Sequence, residues 1–380
     1  MPNPSPVPSP TTLRWPHCGR DTTPEDPVGC RGVHVPGHTT CLAHLDATDR
    51  DAYLDGLAPG SDIDHRGTRF TAPLLRALLD ALRDAATEQV RFGDAQFQSA
   101  TFEGDAGFRS VTFHGDAIFG SATFERAARF GSATFEDDVR FGSATFQGSA
   151  GFRLATFKGD AWFGSAIFHR GAQLGSATFH AGAQFGSATS NGGAGFDTTT
   201  FHGDAGFGLA AFHSDARFGS VTFHGGAYFV SATFHSEAQF GSATVHGEAQ
   251  FSSATFHGSA LFVSSTFRGG ARFESAAFER AACFGLRRAD GTSQPCCHRA
   301  LTVRPSARSL PPAVQRHPMN PSPSPGTLRS APPASATSPR RKTRSHGLLP
   351  SPEDLRRLPY CLERVRDRHA DWPSSHPSGL

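Results

Sequence analysis

Three cysteines and a histidine near the start of the chain form the first group of residues that could do chemistry. Long gaps separate Cys18, Cys30 and Cys41, whereas the segment CLAH places only Leu and Ala between Cys41 and His44. Three thiolates and one imidazole suit tetrahedral zinc, and a small segment with little core would gain stability from the metal. We therefore predict these four residues as zinc ligands, with buried or incidental thiols as the alternative.

A second set of imidazoles recurs at regular intervals through the middle of the chain. Asn191 fills the one vacant position, and His114 is an earlier outlier. The members are His169, His180, His202, His213, His224, His235, His246 and His257. If they stack ~5 Å apart, like charges would suppress their protonation, and metal capture is a possible role. A surface residue copied along with the repeat is the simpler interpretation.

Other arrangements typical of catalysis are missing from the sequence. No nucleophile lies in a pattern with a base and an orienting group, and no phosphate-binding glycine loop precedes a helix. Carboxylates such as those of EDD at 136–138 occupy variable positions. The sequence therefore predicts a protein that is not an enzyme, with no cofactor other than the zinc considered above.

The elements that must position these residues follow from the spacing of phenylalanine, which supplies 34 of 380 residues. Steps of five and six residues alternate from Phe97 to Phe284, so the period is 11, and Leu174, Ser190 and Val245 stand where Phe is expected. In a helix, successive Phe side chains would lie on different faces. The segment also contains more Gly, Ser and Thr than a stable helix tolerates. A flat strand does not explain the spacing either, because a step of five residues would place successive Phe side chains on opposite faces of the sheet.

A chain that turns a corner after each Phe satisfies both spacings, because every short extended piece then points its Ala and Phe inward. This arrangement is a β-solenoid, in which each coil pairs with the coils above and below. Gly at the corners is expected to supply backbone angles that other residues resist. The longer corner follows each ATF segment, so two pairs of faces make a 22-residue coil. The spacing predicts eight or nine coils.

Tandem units such as Ala122-Thr123-Phe124 and Ala133-Thr134-Phe135 resemble the pentapeptide-repeat family. The resemblance covers about residues 90–285 and implies a right-handed quadrilateral β-helix with four faces per coil. In this chain every second face has six residues instead of the family's five. Some members of the family resemble duplex DNA and bind type II topoisomerases, so the resemblance implies a topoisomerase-type target as one possible partner.

The sequence divides into four regions. Residues 1–16 are expected to be disordered, and residues 17–88 to form a Cys/His-containing region with a capping helix near 72–86. A shorter helix is expected around Asp49–Leu57. The solenoid should occupy 89–285, and the Pro-, Ser- and Arg-rich residues 286–380 should be disordered. No run of 18 apolar residues and no signal-peptide pattern are present, which predicts a cytoplasmic protein without a membrane segment.

Three functions remain open at this point. The first is a non-catalytic repeat scaffold for protein–protein interaction with an unknown protein partner. The second is a metal-binding or pH-responsive protein that uses the N-terminal Cys/His cluster or the histidine positions of the solenoid. The third is nucleic-acid binding through the tail, where 16 basic and 6 acidic residues follow position 285. The solenoid itself has 12 basic and 16 acidic residues, a net charge of −4 that argues against nucleic-acid binding there.

Overall fold

In the computed structural model, which describes residues 15–287 and 293–302, short parallel strands stack into a β-solenoid of about nine coils. Each complete coil contributes four strands. A strand pairs with its equivalent in the next coil, as Thr134–Phe135 does with Thr156–Phe157. The predicted β-solenoid with a 22-residue coil is therefore confirmed.

The strands form four faces, which we name by the residue that begins most of their strands. The first alanine face contains Ile63–Asp64, Ala95–Gln96, Ala117–Ile118, Val139–Arg140, Ala161–Trp162, Ala183–Gln184, Ala205–Gly206, Ala227–Tyr228, Ala249–Gln250 and Ala271–Arg272. The first threonine face contains Arg69–Phe70, Thr101–Phe102, Thr123–Phe124, Thr145–Phe146, Ile167–Phe168, Thr189–Ser190, Ala211–Phe212, Thr233–Phe234 and Thr255–Phe256. The second alanine face contains Ala106–Gly107, Ala128–Arg129, Ala150–Gly151, Ala172–Gln173, Ala194–Gly195, Ala216–Arg217, Ala238–Gln239 and Ala260–Phe262. The second threonine face contains Arg91–Phe92, Thr112–Phe113, Thr134–Phe135, Thr156–Phe157, Thr178–Phe179, Thr200–Phe201, Thr222–Phe223, Thr244–Val245 and Thr266–Phe267.

Phenylalanine and alanine fill the interior, as their spacing predicts. Within a column the rings lie parallel, and Phe102 and Phe124 stack with centroids 4.7 Å apart and planes 5° apart. Rings of neighbouring columns meet edge to face, as Phe102 and Phe108 do at 5.7 Å and 85°. Both are favourable arrangements of aromatic quadrupoles. The small alanines between them leave the room that the rings occupy.

The shorter corners differ from our expectation for glycine. In the corner Phe119-Gly120-Ser121-Ala122, the amide of Ala122 donates to the carbonyl of Phe119 at 3.0 Å, and Ser121 has a φ of 55°. Serine or another non-glycine residue takes this left-handed position at each shorter corner. Gly120 precedes it, and an added Cβ there would be 3.7 Å from its nearest neighbour. Glycine is therefore not what allows the shorter corner.

At several of the longer corners, close packing between coils leaves room only for glycine. A Cβ on Gly148 would lie 2.2 Å from the carbonyl oxygen of Arg126 in the preceding coil. Aspartate side chains support several of these corners, because their carboxylates accept the backbone amide one coil later. Asp138 accepts from the amide of Asp160 at 2.9 Å, and Asp160 accepts from that of Gly182 at 2.8 Å. These contacts link the corners of successive coils.

Two helices precede the regular coils. Helix α1 spans Ala47–Asp55 and helix α2 spans Ala72–Ala81. The N-cap of α2 is Thr71, whose hydroxyl accepts from the amide of Leu74 at 3.4 Å. Helix α2 contacts the strands Arg69–Phe70 and Ala106–Gly107, and its leucines Leu74, Leu75, Leu78 and Leu79 are buried in the same core as the Phe rings. It therefore covers the beginning of the second alanine face.

The capping helix ends earlier than the predicted 72–86. A short antiparallel bridge between Arg83 and Val90 replaces its last turn. The carboxylate of Asp84 also accepts from the amides of Ala86 and Thr87 at 2.8 and 3.0 Å, which stabilises a turn there instead of a helix.

The last coil continues into a longer strand, Ala277–Arg287, which pairs antiparallel with Ser293–Thr302. The second of these strands and the last two residues of the first lie within the tail, 286–380, that we predicted to be disordered. Residues 1–14, 288–292 and 303–380 lie outside the described residues. Among the described residues, no helix has the length and apolar character needed to cross a membrane.

Candidate metal centre and histidine columns

Backbone pairing brings two of the predicted zinc ligands together. The amide of Cys18 donates to the carbonyl of Gly32 at 2.8 Å, and the amide of Cys30 donates to the carbonyl of Arg20 at 2.7 Å. These antiparallel contacts place Cys18 and Cys30 side by side, although the two cysteines are well separated in the sequence. Gly19 completes the pairing with a left-handed φ of 63°, a conformation that suits glycine.

A short 3₁₀ helix, Leu42–His44, brings in the other two. Cys41 is its N-cap, so a single turn places the Cys41 Sγ and the His44 Nδ1 3.4 Å apart. Leu42 is buried beneath this turn in the core shared with the solenoid. The spacing of CLAH therefore corresponds to one 3₁₀ turn.

The four predicted residues form one cluster, with all four potential ligand atoms within 4.8 Å of one another. The Cys18 Sγ lies 3.4 Å from the His44 Nδ1, and the sulfurs of Cys30 and Cys41 are 3.6 Å apart. Cys30 and Cys41 are buried. In the part of the chain that the structure describes, this is the only group of three or more metal-ligating side chains with such geometry.

One further residue completes the cluster and was missed by sequence reasoning. The Nε2 of His44 lies 2.9 Å from the Oδ2 of Asp21. The pattern of Cys and His gave no signal for it, because Asp21 approaches only after the backbone pairing forms. The other nearby imidazoles lie outside the cluster, and His38 instead contacts Asp49 at 3.4 Å.

The two buried thiols titrate differently. A hydrogen bond from Cys41 lowers the pKa of the Cys30 thiol below its ordinary value, because it stabilises the thiolate. The same interaction, together with burial, raises the pKa of Cys41 above its ordinary value. The shared hydrogen bond therefore shifts the pKa values of the two thiols in opposite directions.

The repeated histidines form two columns at the longer corners. The first histidine column follows the first threonine face and contains His169, Asn191, His213, His235 and His257. The second histidine column follows the second threonine face and contains His180, His202, His224 and His246. Rings within a column are parallel, with centroids 4.5 to 5.0 Å apart. The outlying His114 contacts Glu136 at 2.8 Å.

Stacking has the predicted electrostatic effect within both columns. Desolvation, followed by the neighbouring imidazoles His202 and His246, lowers the pKa of His224. Desolvation, followed by His213 and His257, likewise lowers the pKa of His235. One zinc ion bridges two nitrogens only if they lie within ~4.2 Å, the length of two zinc–nitrogen bonds. Equivalent nitrogens of parallel rings whose centroids are 4.5 to 5.0 Å apart are farther from each other than this. The observed ring geometry therefore does not favour metal capture between column neighbours.

The outward side chains of the first alanine face vary most in size and chemistry. They include Ile118, Arg140, Trp162 and Tyr228, whereas the two threonine faces show mainly Thr. Trp162 is 44% exposed although its strand is paired on both sides. An exposed Trp that shares its face with Arg and Tyr side chains is the composition typical of interface hot spots.

The stacked coils, the Phe columns and the parallel strand register define a β-solenoid with an aromatic core. A family model for pentapeptide repeats, described as nine copies, matches residues 88–134, 130–178, 210–255 and 240–285. These residues are thus pentapeptide repeats. No curated protein and no solved structure matches it.

Proposed function

We propose that this protein is a non-catalytic scaffold that holds a protein partner on the outer surface of its solenoid. The supporting observation is the separation between inward and outward positions. Inward positions repeat Ala and Phe and are buried, while outward positions on the first alanine face vary freely without disturbing the core. A repeat protein of this kind offers an extended surface whose recognition residues can change independently of stability.

The first alanine face is the proposed partner-binding surface. Trp162 lies at its centre, between Arg140 in the preceding coil and Gln184 in the following one. Arg140 is held by Asp116 and Asp138 at 2.7 and 3.0 Å, so its position is fixed before a partner arrives. Such preorganisation reduces the entropy lost on binding.

An affinity pull-down from native cell extract with the full-length chain tests this proposal. We expect the wild-type chain to retain a partner reproducibly, and Trp162→Ala to weaken its retention at least 10-fold, as for an interface hot spot. Gln173→Ala, at the equivalent outward position of the second alanine face, is the matched control and should retain the partner. Equal retention by Trp162→Ala and wild type would place the interface elsewhere. A type II topoisomerase among the retained proteins would support the target implied by the family.

A second candidate function is a pH-responsive surface on the second histidine column. The column continues at one end into Lys158 and at the other into Arg268, so protonation would complete a line of six positive charges. We expect any anionic partner of this surface to bind more tightly at pH 5 than at pH 7.5. Replacing His202 and His224 with Asn should abolish that pH dependence if the column is responsible.

A further inference from the structure

We propose that Cys18, Cys30, Cys41 and His44 bind one structural Zn²⁺ ion, which fastens the N-terminal segment to the first coil. Four independent features of the cluster support this site: its distances, its donor atoms, the partner of its histidine and its enclosure.

The distances fit a tetrahedral zinc site. With Zn–S bonds of ~2.3 Å and a Zn–N bond of ~2.0–2.1 Å, tetrahedral angles give S–S separations of about 3.8 Å and S–N separations of about 3.5 Å. Three of the six separations are 3.6 Å between the sulfurs of Cys30 and Cys41, and 3.4 Å from the His44 Nδ1 to both Cys18 and Cys41, and all six are within 4.8 Å. A disulfide would instead require sulfurs ~2.05 Å apart.

The donor atoms and their number select zinc in a structural role. Three thiolates with one imidazole are soft donors, which favour zinc over magnesium or calcium. Four protein ligands complete a tetrahedral shell, so no coordination position remains for water or a substrate. The burial of Cys30 and Cys41 is consistent with a closed site.

The hydrogen bond of His44 prepares its ring for metal binding. An N–H at Nε2 donates to the Asp21 carboxylate over 2.9 Å, which leaves the lone pair of Nδ1 directed at the sulfurs. Carboxylate–histidine pairs of this kind orient the ring and increase the basicity of the ligand nitrogen. Asp21 is therefore a positioning residue for the proposed site.

Next to the cluster, at position 32, there is space for no residue larger than glycine. A Cβ on Gly32 would lie 2.6 Å from the Cβ of Cys41 and 2.7 Å from its sulfur. The following residue, Val33, donates its amide to the carbonyl of Arg66 at 2.8 Å. Through this contact the cluster is joined directly to the residues that begin the first coil.

The metal would supply the cohesion that this segment otherwise lacks. Only a few apolar side chains of the segment, including Val35, Leu42 and Leu45, enter the core. Zinc would link three stretches of chain that are held otherwise by a small number of backbone hydrogen bonds, and its binding free energy would add to the stability of the fold. The covered coil would then be protected from pairing with another chain.

Elemental analysis of the full-length chain, purified without chelator, gives the direct test. We expect one Zn²⁺ per chain, and a Cys18→Ser, Cys41→Ser double variant should lose it. His38→Ala is the matched control, because His38 lies in the same segment but outside the cluster. Less than about 0.2 Zn²⁺ per wild-type chain, or an unchanged content in the double variant, would overturn the proposal.

Two further measurements keep the test decisive if the double variant fails to fold. Chelator-stripped wild-type protein titrated with Co²⁺ should develop thiolate-to-metal charge-transfer and tetrahedral ligand-field bands at one equivalent, and their absence would contradict the proposal. Asp21→Asn should bind Zn²⁺ 10- to 100-fold more weakly while keeping the same stoichiometry at saturation. Asp26→Asn, which removes a carboxylate paired with Arg31, should leave the affinity unchanged. Equal affinities of the two Asp variants would remove the positioning role of Asp21.

Discussion

Ser190 interrupts an otherwise continuous column of Phe rings, and its replacement by Phe should stabilise the solenoid. The rings of Phe146 and Phe168 stack at 4.8 Å on one side of the gap, and those of Phe212 and Phe234 at 5.0 Å on the other. The backbone keeps its normal spacing across the gap, because the amide of His213 still donates to the carbonyl of Ser190 at 2.8 Å. The place of the missing ring has therefore not been closed by the backbone.

The expected gain is the balance of two favourable and two unfavourable contributions. Burying a Phe side chain contributes about 1.5–3 kcal/mol, and renewed stacking on both neighbours adds about 1 kcal/mol. The hydroxyl of Ser190 would no longer donate to the carbonyl of Gly192, a bond of 2.9 Å worth about 1 kcal/mol. The cavity beside Ser190 has a volume of only about 20 Å³, so its neighbours must shift, at a cost of about 1 kcal/mol. We expect a net gain of about 0.5–2 kcal/mol.

Equilibrium denaturation, followed by circular dichroism and by the fluorescence of Trp162 one coil away, measures this gain. Ser190→Phe should raise the denaturant midpoint without changing the slope. Ser190→Ala separates the loss of the hydroxyl from the addition of the ring, and it should not raise the midpoint. A midpoint for Ser190→Phe at or below that of Ser190→Ala would refute the reasoning, because it would show that neighbouring side chains already occupy the place of the ring.

Three other predictions concern corners and histidines. Gly148→Ala should lose about 1–3 kcal/mol of stability in denaturation because its Cβ would meet a carbonyl of the preceding coil, whereas Gly142→Ala, with 3.7 Å to its nearest neighbour, should change stability by less than about 0.5 kcal/mol. Burial lowers the pKa of His65 to about 4, so the free energy of unfolding should begin to fall as pH drops below the ordinary value of 6.5 and should be about 3 kcal/mol lower by pH 4. Denaturation at a series of pH values should show a weaker pH dependence for His65→Gln than for wild type, and an equal dependence would contradict this origin. NMR titration should give His224 a pKa below 6.5 that rises when its two column neighbours are replaced by Asn, and an unchanged value would exclude coupling within the column.

The sequence was sufficient to predict the solenoid because its core is encoded by a strict period. Each Phe and each inward Ala has one structural role, so their spacing gives the coil length and the position of the longer corner directly. The conformation of the shorter corner could not be predicted in the same way. Ordinary turn preferences place Gly at the left-handed position, whereas here Ser121 and its equivalents occupy it, one residue after a glycine. Arg153 and Val230 stand in the place of that glycine, which shows that its small size is not needed there.

The candidate metal centre was only partly visible in the sequence. The spacing of Cys41 and His44 indicated a local pair, because one turn of helix brings such residues together. The gaps before Cys30 and Cys41 carried no such information, since their closure depends on backbone pairing between distant residues. Asp21 could not be predicted, because its contact with His44 exists only after that pairing.

Each coil consists of two nearly equivalent halves, and this affects how the protein can change its length. Insertion or deletion of half a coil would leave every inward position filled by Ala or Phe, so the core would not oppose it. Every outward column beyond that point would nevertheless turn by half a circuit, and the first histidine column would exchange places with the second. Gain or loss of a whole coil would change the length of the rod and keep its columns aligned. The arrangement of this surface therefore depends on whether half-coils are gained in odd or even number.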